Sequence, residues 1–424
     1  MKYFNKTLIA VSVALASTQT MAAGFQLNSQ SAVGIGRAFA GDAVIADNAS
    51  VLARNPAAMA MFDTTAISVG MTYADVTVEV QDANWDRGPL APNAPDVEYG
   101  HVANAAEGKL IPNAYYIQPI NDTFAFGLAA FSNYGTGTDT SDLTAGGNLP
   151  VPGDLVGNTE VTTVNFNASV SARINDQWSV GLGLDIIHGE GVLTRDGQTV
   201  ITGPDSVNFV DVEADGIGFG GIVGVTYEMN ANNRFGLSYR FSPDIDVDGT
   251  LNRLGTEYEE MTVPLADIAQ FAGFHQLTDT FAVHYTAQWT QWSNFTSVDL
   301  HDNNGTTVLK EYQWNDSWFL SAGVTYQLDE KMTLRAGIAY DQGVVGDIES
   351  ISIPDSDRNW FTVGATYQLN KHSSVDFGYA YVTGRDTQVT EQSVVVDSVP
   401  LNGTLTATTS TGANYFSLAY NYQF

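Results

Sequence analysis

The chain has no cysteine among its 424 residues, and only 15% of them are charged. Without cysteine there is neither a disulfide framework nor a thiolate-ligated metal site. Cations are the scarcer sign: 17 Lys and Arg stand against 47 Asp and Glu, a formal net charge of -30. So acidic a chain has no footprint for nucleic acid, which is gripped by clustered cations. The carboxylates leave two readings, solvated loop groups or ligands for divalent cations beside an anionic outer leaflet. The six histidines (His101, His188, His275, His284, His301 and His372) are scattered without metal-ligand spacing, so no metal and no cofactor is expected. His284 is read as lining an interior. Also missing is any run approaching the ~20 apolar residues of a membrane helix. If this chain enters a membrane it does so with strands, and a closed barrel is the strand architecture that satisfies its backbone in lipid.

The N-terminus supplies an address. Lys2 and Lys6 precede a short apolar run, Leu8 to Ala16, and small residues end at Ala22 and Ala23. Basic region, apolar core and small-residue cleavage site describe a secretory signal over residues 1–22, since the run is too short to span a bilayer as a helix. Cleavage after Ala22 would leave Ala23 first and the net charge at -32, because Lys2 and Lys6 depart with the leader.

The C-terminus supplies the fold. Leu418, Tyr420, Tyr422 and Phe424 alternate with Ser417, Ala419, Asn421 and Gln423. Strand side chains point to opposite faces in turn, so one face is aromatic and the other small or polar. The pattern recurs in Trp318–Leu328, Phe361–Leu369 and Phe281–Trp289, and in each the apolar set is expected to face lipid. In the first segment Ile67, Val69, Met71 and Tyr73 share a face, whereas Val76, Val78 and Val80 take the other parity; this predicts a bulge or a strand emerging from lipid. Tight polar turns follow aromatics at 227–233, 326–330, 367–371 and 173–178, while the connections at 81–108, 136–158, 341–357 and 387–411 are long. Short turns on one side and long loops on the other are the outer-membrane barrel arrangement, with aromatics beside the turns as a girdle. About fourteen strand segments can be placed between residues 65 and 424. The expected fold is all-β: a transmembrane antiparallel β-barrel of about 14 strands plugged by an N-terminal hatch, over residues 63–424.

Residues 23–62 differ from the rest. They are rich in Gly, Ala, Ser and Asn, lack alternation, and suggest a short helix near Ala38–Ala46. A structureless stretch that long is functional or disordered. Its apolar residues (Phe25, Leu27, Ile35, Phe39, Ile45, Met59 and Met61) favour a packed plug inside the bore.

Within the plug stand Gly24-Phe25-Gln26-Leu27-Asn28, Gly34-Ile35-Gly36-Arg37-Ala38-Phe39-Ala40-Gly41, Ile45-Ala46-Asp47-Asn48-Ala49 and Arg54-Asn55-Pro56-Ala57. Pro56 fixes its own φ and biases Asn55 away from helix, freeing the Asn55 amide to bond to the wall. Further along come Ser132-Asn133-Tyr134-Gly135, Trp289-Thr290-Gln291-Trp292-Ser293-Asn294-Phe295 and Ser352-Ile353-Pro354-Asp355-Ser356-Asp357-Arg358. Together these resemble the FadL-like long-chain fatty acid outer-membrane transporter family, across the whole mature chain. The resemblance implies a fourteen-stranded barrel in the bacterial outer membrane, monomeric and among lipid and lipopolysaccharide, with a hydrophobic ligand as its partner. It implies an outer groove that captures the ligand and a deeper pocket lined partly by Ala23, Gly24 and Phe25. It also implies lateral exit at an inward kink of the third strand, Asn133, Tyr134 and Gly135, in contact with Asn55, Pro56 and Ala57. Arg195 matches a basic position that would meet a carboxylate head group, with a solvated loop arginine as the plain reading.

Two departures stand out. A lysine expected near the tenth strand is replaced by Asn315, with Lys310 nearby, and the loops at 196–208 and 250–263 are shorter than the family's capturing loops. Other motifs are weak. Phe39 occupies the third glycine of a dinucleotide fingerprint begun by Gly34 and Gly36. Asp244, Asp246, Asp248 and Gly249 begin like a calcium loop, yet its twelfth position is Gly255. Competing functions are uptake of other apolar compounds such as aromatic hydrocarbons, a general porin, and an outer-membrane lipase. The lipase needs a Ser/His pair at the outer lipid face. His188 has no serine beside it, and Ser373 and Ser374 follow His372 at a short turn; a dyad between distant strands stays open, but no enzyme is expected.

Overall fold

The computed structural model describes residues 23–424 apart from 89–92, 94, 145–151, 199–205, 394, 397–398 and 401–402. The segment read as a signal, 1–22, lies outside the described residues.

Fourteen antiparallel wall strands form one closed barrel. They are β1 (Ala66–Asp86), β2 (Lys109–Pro119), β3 (Phe124–Phe131, continued as Gly135–Asp139), β4 (Gly157–Arg173), β5 (Trp178–Gln198) and β6 (Ser206–Asn230). Next come β7 (Asn233–Phe241 and Asp244–Arg253), β8 (Glu260–Pro264 and Ile268–Thr278), β9 (Phe281–Thr290 and Ser297–Asp302) and β10 (Gly305–Glu311 and Ser317–Gln327). The last are β11 (Met332–Asp341), β12 (Arg358–Gln368), β13 (Ser373–Gly384 and Thr387–Gln392) and β14 (Thr404–Gln423). Closure is made by β1 and β14, paired from Ala66↔Gln423 up to Asp86↔Thr404. Residues 81–86 and 404–411, expected in long loops, belong to these strands, because polar threonines and glutamine continue the ladder beyond the lipid.

Alternation sorts the faces as the pattern requires. Leu320, Phe361, Val363, Phe416 and Leu418 are exposed outward, while Ser321, Thr362 and Ser417 are buried inward. In β1, Val69, Met71 and Tyr73 face out, and Val76, Val78 and Val80 are buried inside. The register with β14 runs unbroken from Ala66 to Gln81, so the parity change is emergence from lipid and not a bulge. At the short turns Trp178, Tyr227, Phe235 and Phe271 form a chain of ring contacts with centroids 4.5–6.5 Å apart across four strands, the expected girdle. Asp244–Arg253 is strand, so its alternating carboxylates form no calcium loop.

The hatch fills the bore. Its one α-helix, α1, is Ala32–Gly36, capped by the Ser31 hydroxyl accepting from the Gly34 N–H. The segment 38–46 is turns, not helix: Ala38 and Phe39 have φ of 52° and 58°, and the Phe39 N–H returns to the Gly34 carbonyl. Two 3-10 turns follow, Ala49–Ala53 capped by Asn48 and Pro56–Met61 capped by Asn55, with proline in the first turn where its missing N–H costs nothing.

These turns are too short to hold themselves. They are held by a belt of inward-facing glycines on the wall. Cross-strand pairs Gly181↔Gly224, Gly323↔Gly337 and Gly364↔Gly378 present bare backbone to the hatch. A methyl on Gly364 would lie 2.7 Å from the Gly36 Cα, and one on Gly323 2.7 Å from the Arg37 carbonyl oxygen. One on Gly337 would strike the Arg37 carbonyl, one on Gly378 the Ala32 carbonyl, and one on Gly236 the Ala43 carbonyl. Ion pairs tie the same layer: Arg37 to Asp42 at 2.8 Å and to Asp47 at 2.9 Å, and Arg335 of β11 to Asp47 at 3.1 Å. His284 is buried in this layer, its Nε2 at 3.0 Å from the Thr325 hydroxyl.

Candidate functional site

On the outer side of the hatch the barrel encloses a narrow pocket with about 70 Å³ of free space. Val212, Ile245, Val247, Met261, Leu265 and Phe295 make most of its wall apolar, and Phe25 of the hatch reaches it from below. Phe25 sits in an aromatic nest, its ring centroid 4.7 Å from Trp292, 5.2 Å from Phe295 and 5.8 Å from Trp314. Gly24 makes the turn into that nest with φ of 61°; a methyl there would lie 2.8 Å from Trp314 and 2.9 Å from Trp292. The Ala23 N–H bonds to buried Asp341 and the Gly24 N–H to buried Asp355. Ala23, Gly24 and Phe25 are therefore together, and of the three Phe25 lines the pocket.

The two candidate cations sit beside one another's partners. Arg195, at the outer end of β5, is fully buried behind the pocket lining rather than in solvent. Burial weakens its hold on the proton, opposed by the neighbouring acids. Its donors all go to neutral oxygens: the Asn158 carbonyl at 2.6 Å, the Thr194 carbonyl at 2.8 Å, the Thr159 hydroxyl at 2.6 Å and the Ser352 hydroxyl at 2.7 Å. Lys310 is on the lining itself and donates to Glu391 and, at 2.6 Å, to the Ser350 hydroxyl. Lys310 is thus paired with Glu391, which also accepts from the Ile351 N–H, whereas Glu391, Asp154 and Asp139 act on Arg195 only from farther away.

The wall has a seam. The β2–β3 ladder ends at Ala114↔Ala130. Above it β2 pairs only with β1, and β3 resumes at Gly135 paired only with β4. At the break, Ser132–Gly135 turn inward and the hatch takes the missing partner's place. The Leu27 N–H donates to the Asn133 carbonyl at 2.7 Å, the Gly135 N–H to the Phe25 carbonyl at 2.8 Å, and Gln26 bridges Tyr134. Gln30 Nε2 donates to the Ser132 carbonyl and to Asn133 Oδ1, both at 3.0 Å. Tyr134 is buried, its hydroxyl donating to the Ala266 carbonyl.

Asn55 is elsewhere. It donates to the Ala43 carbonyl at 2.8 Å and to the Val225 carbonyl of β6 at 3.1 Å, and accepts from the Ala57 N–H at 3.0 Å. Its own bonds do not reach the kink, and Ala57 packs against Gly181 of β5. What joins the Asn-Pro-Ala turn to the kink is Arg54, which donates to Gln30 Oε1 at 2.7 Å. Asn55–Arg54–Gln30–Asn133 is the chain of contacts, and the sequence reading left out Gln30 and the role of Arg54. It also left out Pro112. A proline within Leu110-Ile111-Pro112-Asn113 marks an unpaired strand edge, and those residues form the β2 side of the seam.

A closed barrel with an aromatic outside, a plugged bore, an apolar outer pocket and a hatch-sealed gap defines an outer-membrane transport protein for hydrophobic molecules. The family described as outer membrane protein transport protein (OMPP1/FadL/TodX) matches residues 13–424, and the chain belongs to it. It is 34% identical to outer membrane protein P1 of Haemophilus influenzae, covering 100% of both chains. It is 32% identical to the long-chain fatty acid transport protein of Escherichia coli K12, over 92% of this chain and 94% of that one. Among solved structures, a Pseudomonas aeruginosa FadL homologue superposes with a TM-score of 0.81 at 24% identity, covering 95% of this chain and 100% of the other. The Ralstonia pickettii toluene transporter TbuX superposes at 0.64 with 17% identity, over 94% and 99%.

Proposed function

We propose that the protein is a passive outer-membrane transporter for long-chain fatty acids. The acid enters the pocket above Phe25, the segment Ala23–Gln30 swings away from the β3 kink, and the acyl chain leaves sideways through the β2–β3 seam. Physics favours a sideways route, because each CH₂ exposed to water forfeits about 0.8 kcal/mol of burial. The observation that carries the reading is the seam itself, a break in the wall whose ladder partner is a hatch segment ending in the pocket's Phe25. Around it Asn113 Nδ2, Asn133 Nδ2 and Thr136 Oγ1 are buried without a protein partner, so the closed arrangement is not the most favourable conceivable one. A charged head group is favoured over a neutral hydrocarbon by Arg195, whose donors all go to neutral oxygens, beside Lys310 on the pocket lining. The likeness to the long-chain fatty acid transport proteins supports the same substrate class.

The test is uptake of labelled oleate in cells that lack their own transporter, with and without this protein and its Asn55→Ala variant. Saturable uptake with the wild-type chain, reduced several-fold in the variant at equal folded abundance, is expected. Uptake no greater than in empty cells would overturn the function, and an unimpaired variant would detach Asn55 from gating.

A further inference from the structure

The hatch has a second accessible face, and it holds an uncompensated cation. Toward the short turns, β7–β11 and the hatch residues Ile45, Ala46 and Asp47 enclose a cup of about 370 Å³. Asp279 and Thr280, on the β8–β9 turn, stand at that mouth, so the cup opens to the periplasmic side. Arg234 projects into it from the first turn of β7.

Cations are scarce in this chain, and those around the hatch are matched. Arg37 and Arg335 hold Asp47, Arg240 holds Asp185, and Arg173 holds Glu228 at 3.0 Å. Arg234 has no carboxylate within 4 Å among the described residues. Its Nη1 reaches only the Met61 sulfur at 3.4 Å, its Nε is buried without a partner, and its guanidinium lies over the Phe274 ring at 4.6 Å. The acids that act on it from farther away, Glu228 and Asp47, are already engaged by other arginines. A half-buried guanidinium left without a counter-ion is costly, and a ligand carboxylate would remove that cost with charge-assisted hydrogen bonds. Beside the cation lie Ile45, Phe274 and Ala282, an apolar surface for a tail; Gln276, Thr325 and Thr333 supply polar groups around the head.

We propose that this cup is a carboxylate-binding site for a fatty acid on the periplasmic face of the hatch, separate from the outer pocket, with Arg234 as the head-group ligand. It extends the fatty-acid reading of the outer pocket, yet each site can fail alone.

The test uses the folded, detergent-purified full chain and a decanoic acid carrying an alkyl diazirine, with crosslinked peptides mapped by mass spectrometry. Labelling within 45–47 or 274–282 is expected, in addition to labelling of the outer pocket around 295–312. Arg234→Gln is expected to lower the cup labelling about ten-fold, the weight of one charge-assisted bond, and to leave the outer labelling unchanged. Heat-modifiable electrophoretic mobility checks that the variant is folded. Free decanoate should compete, whereas the probe's methyl ester should not label the cup, and neither phosphate nor a tripeptide with a free C-terminus should compete. No cup labelling, equal labelling by the ester, persistence in Arg234→Gln, or equal competition by phosphate or peptide would each overturn the proposal. Cup labelling without outer labelling would instead remove the proposed capture pocket and leave this site standing.

Discussion

Arg195 illustrates how a single residue is legible in type but not in setting. The family resemblance marks it as a candidate head-group cation, because it matches a basic position at the outer end of the fifth strand. That it is buried and served only by neutral oxygens depends on Ser352, which lies 157 positions away. The same holds for Asn55: proline in the next position announces a cap, but nothing local names the Val225 carbonyl 170 positions on as its acceptor. Pro112 was legible and unread, since a proline inside a strand points to an unpaired edge. Arg195→Gln keeps polar groups facing Thr159 and Ser352 and removes a positive charge that is bonded to no carboxylate among the described residues. Its affinity for oleate is expected to fall about ten-fold while uptake of methyl oleate is unchanged, the loss of one charge-assisted interaction. Equilibrium binding of fluorescent acid and ester analogues to purified protein measures this, and equal loss for both would assign Arg195 a structural role.

At the scale of elements, the strands were written in alternation and the hatch was not. Period-two patterning placed the lipid face of β10, β12 and β14 because lipid demands apolar side chains at every second position. The hatch obeys no period, since its partners are wall glycines scattered over seven strands or more, and its helix came out at Ala32–Gly36 where Ser31 caps it. Those glycines are a physical requirement, not a flexible lining. Gly337→Val would push a branched side chain into the Arg37 carbonyl, an overpacking that costs about 1–3 kcal/mol in a packed interior. The wall need not suffer, because the Gly337 backbone pairing with Gly323 and Thr362 stays intact. The expected outcome is a folded barrel with a loosened plug, seen as several-fold greater sensitivity to a large antibiotic that the outer membrane normally excludes. Gly100→Ala, which meets nothing within 4 Å, is the matched control.

For the whole molecule, wall and plug divide the physics. Apart from the β2–β3 seam the wall closes without the hatch, since β1 and β14 pair from Ala66 to Asp86. Part of its inward face beside the hatch is polar: Thr72, Thr286 and Gln288 are buried against Ser29, Phe39 and Arg54 of the hatch. Removal of residues 23–62 would expose such groups to water, which satisfies them at little cost, unlike exposure of an apolar core. The hatch, by contrast, has turns of five or six residues and no sheet of its own, so it cannot persist apart from the wall. A chain with residues 1–22 joined directly to residue 63 is therefore expected to assemble as a heat-modifiable barrel. It should show steady ohmic conductance in planar bilayers where the intact protein should show only brief openings, and should lose saturable oleate uptake because Phe25 and the seal on the β3 kink are gone. If conductance were as low as in the intact protein, the bore would be blocked by something other than the hatch. If saturable uptake survived, the pocket and the seam would be operating without the segment that joins them.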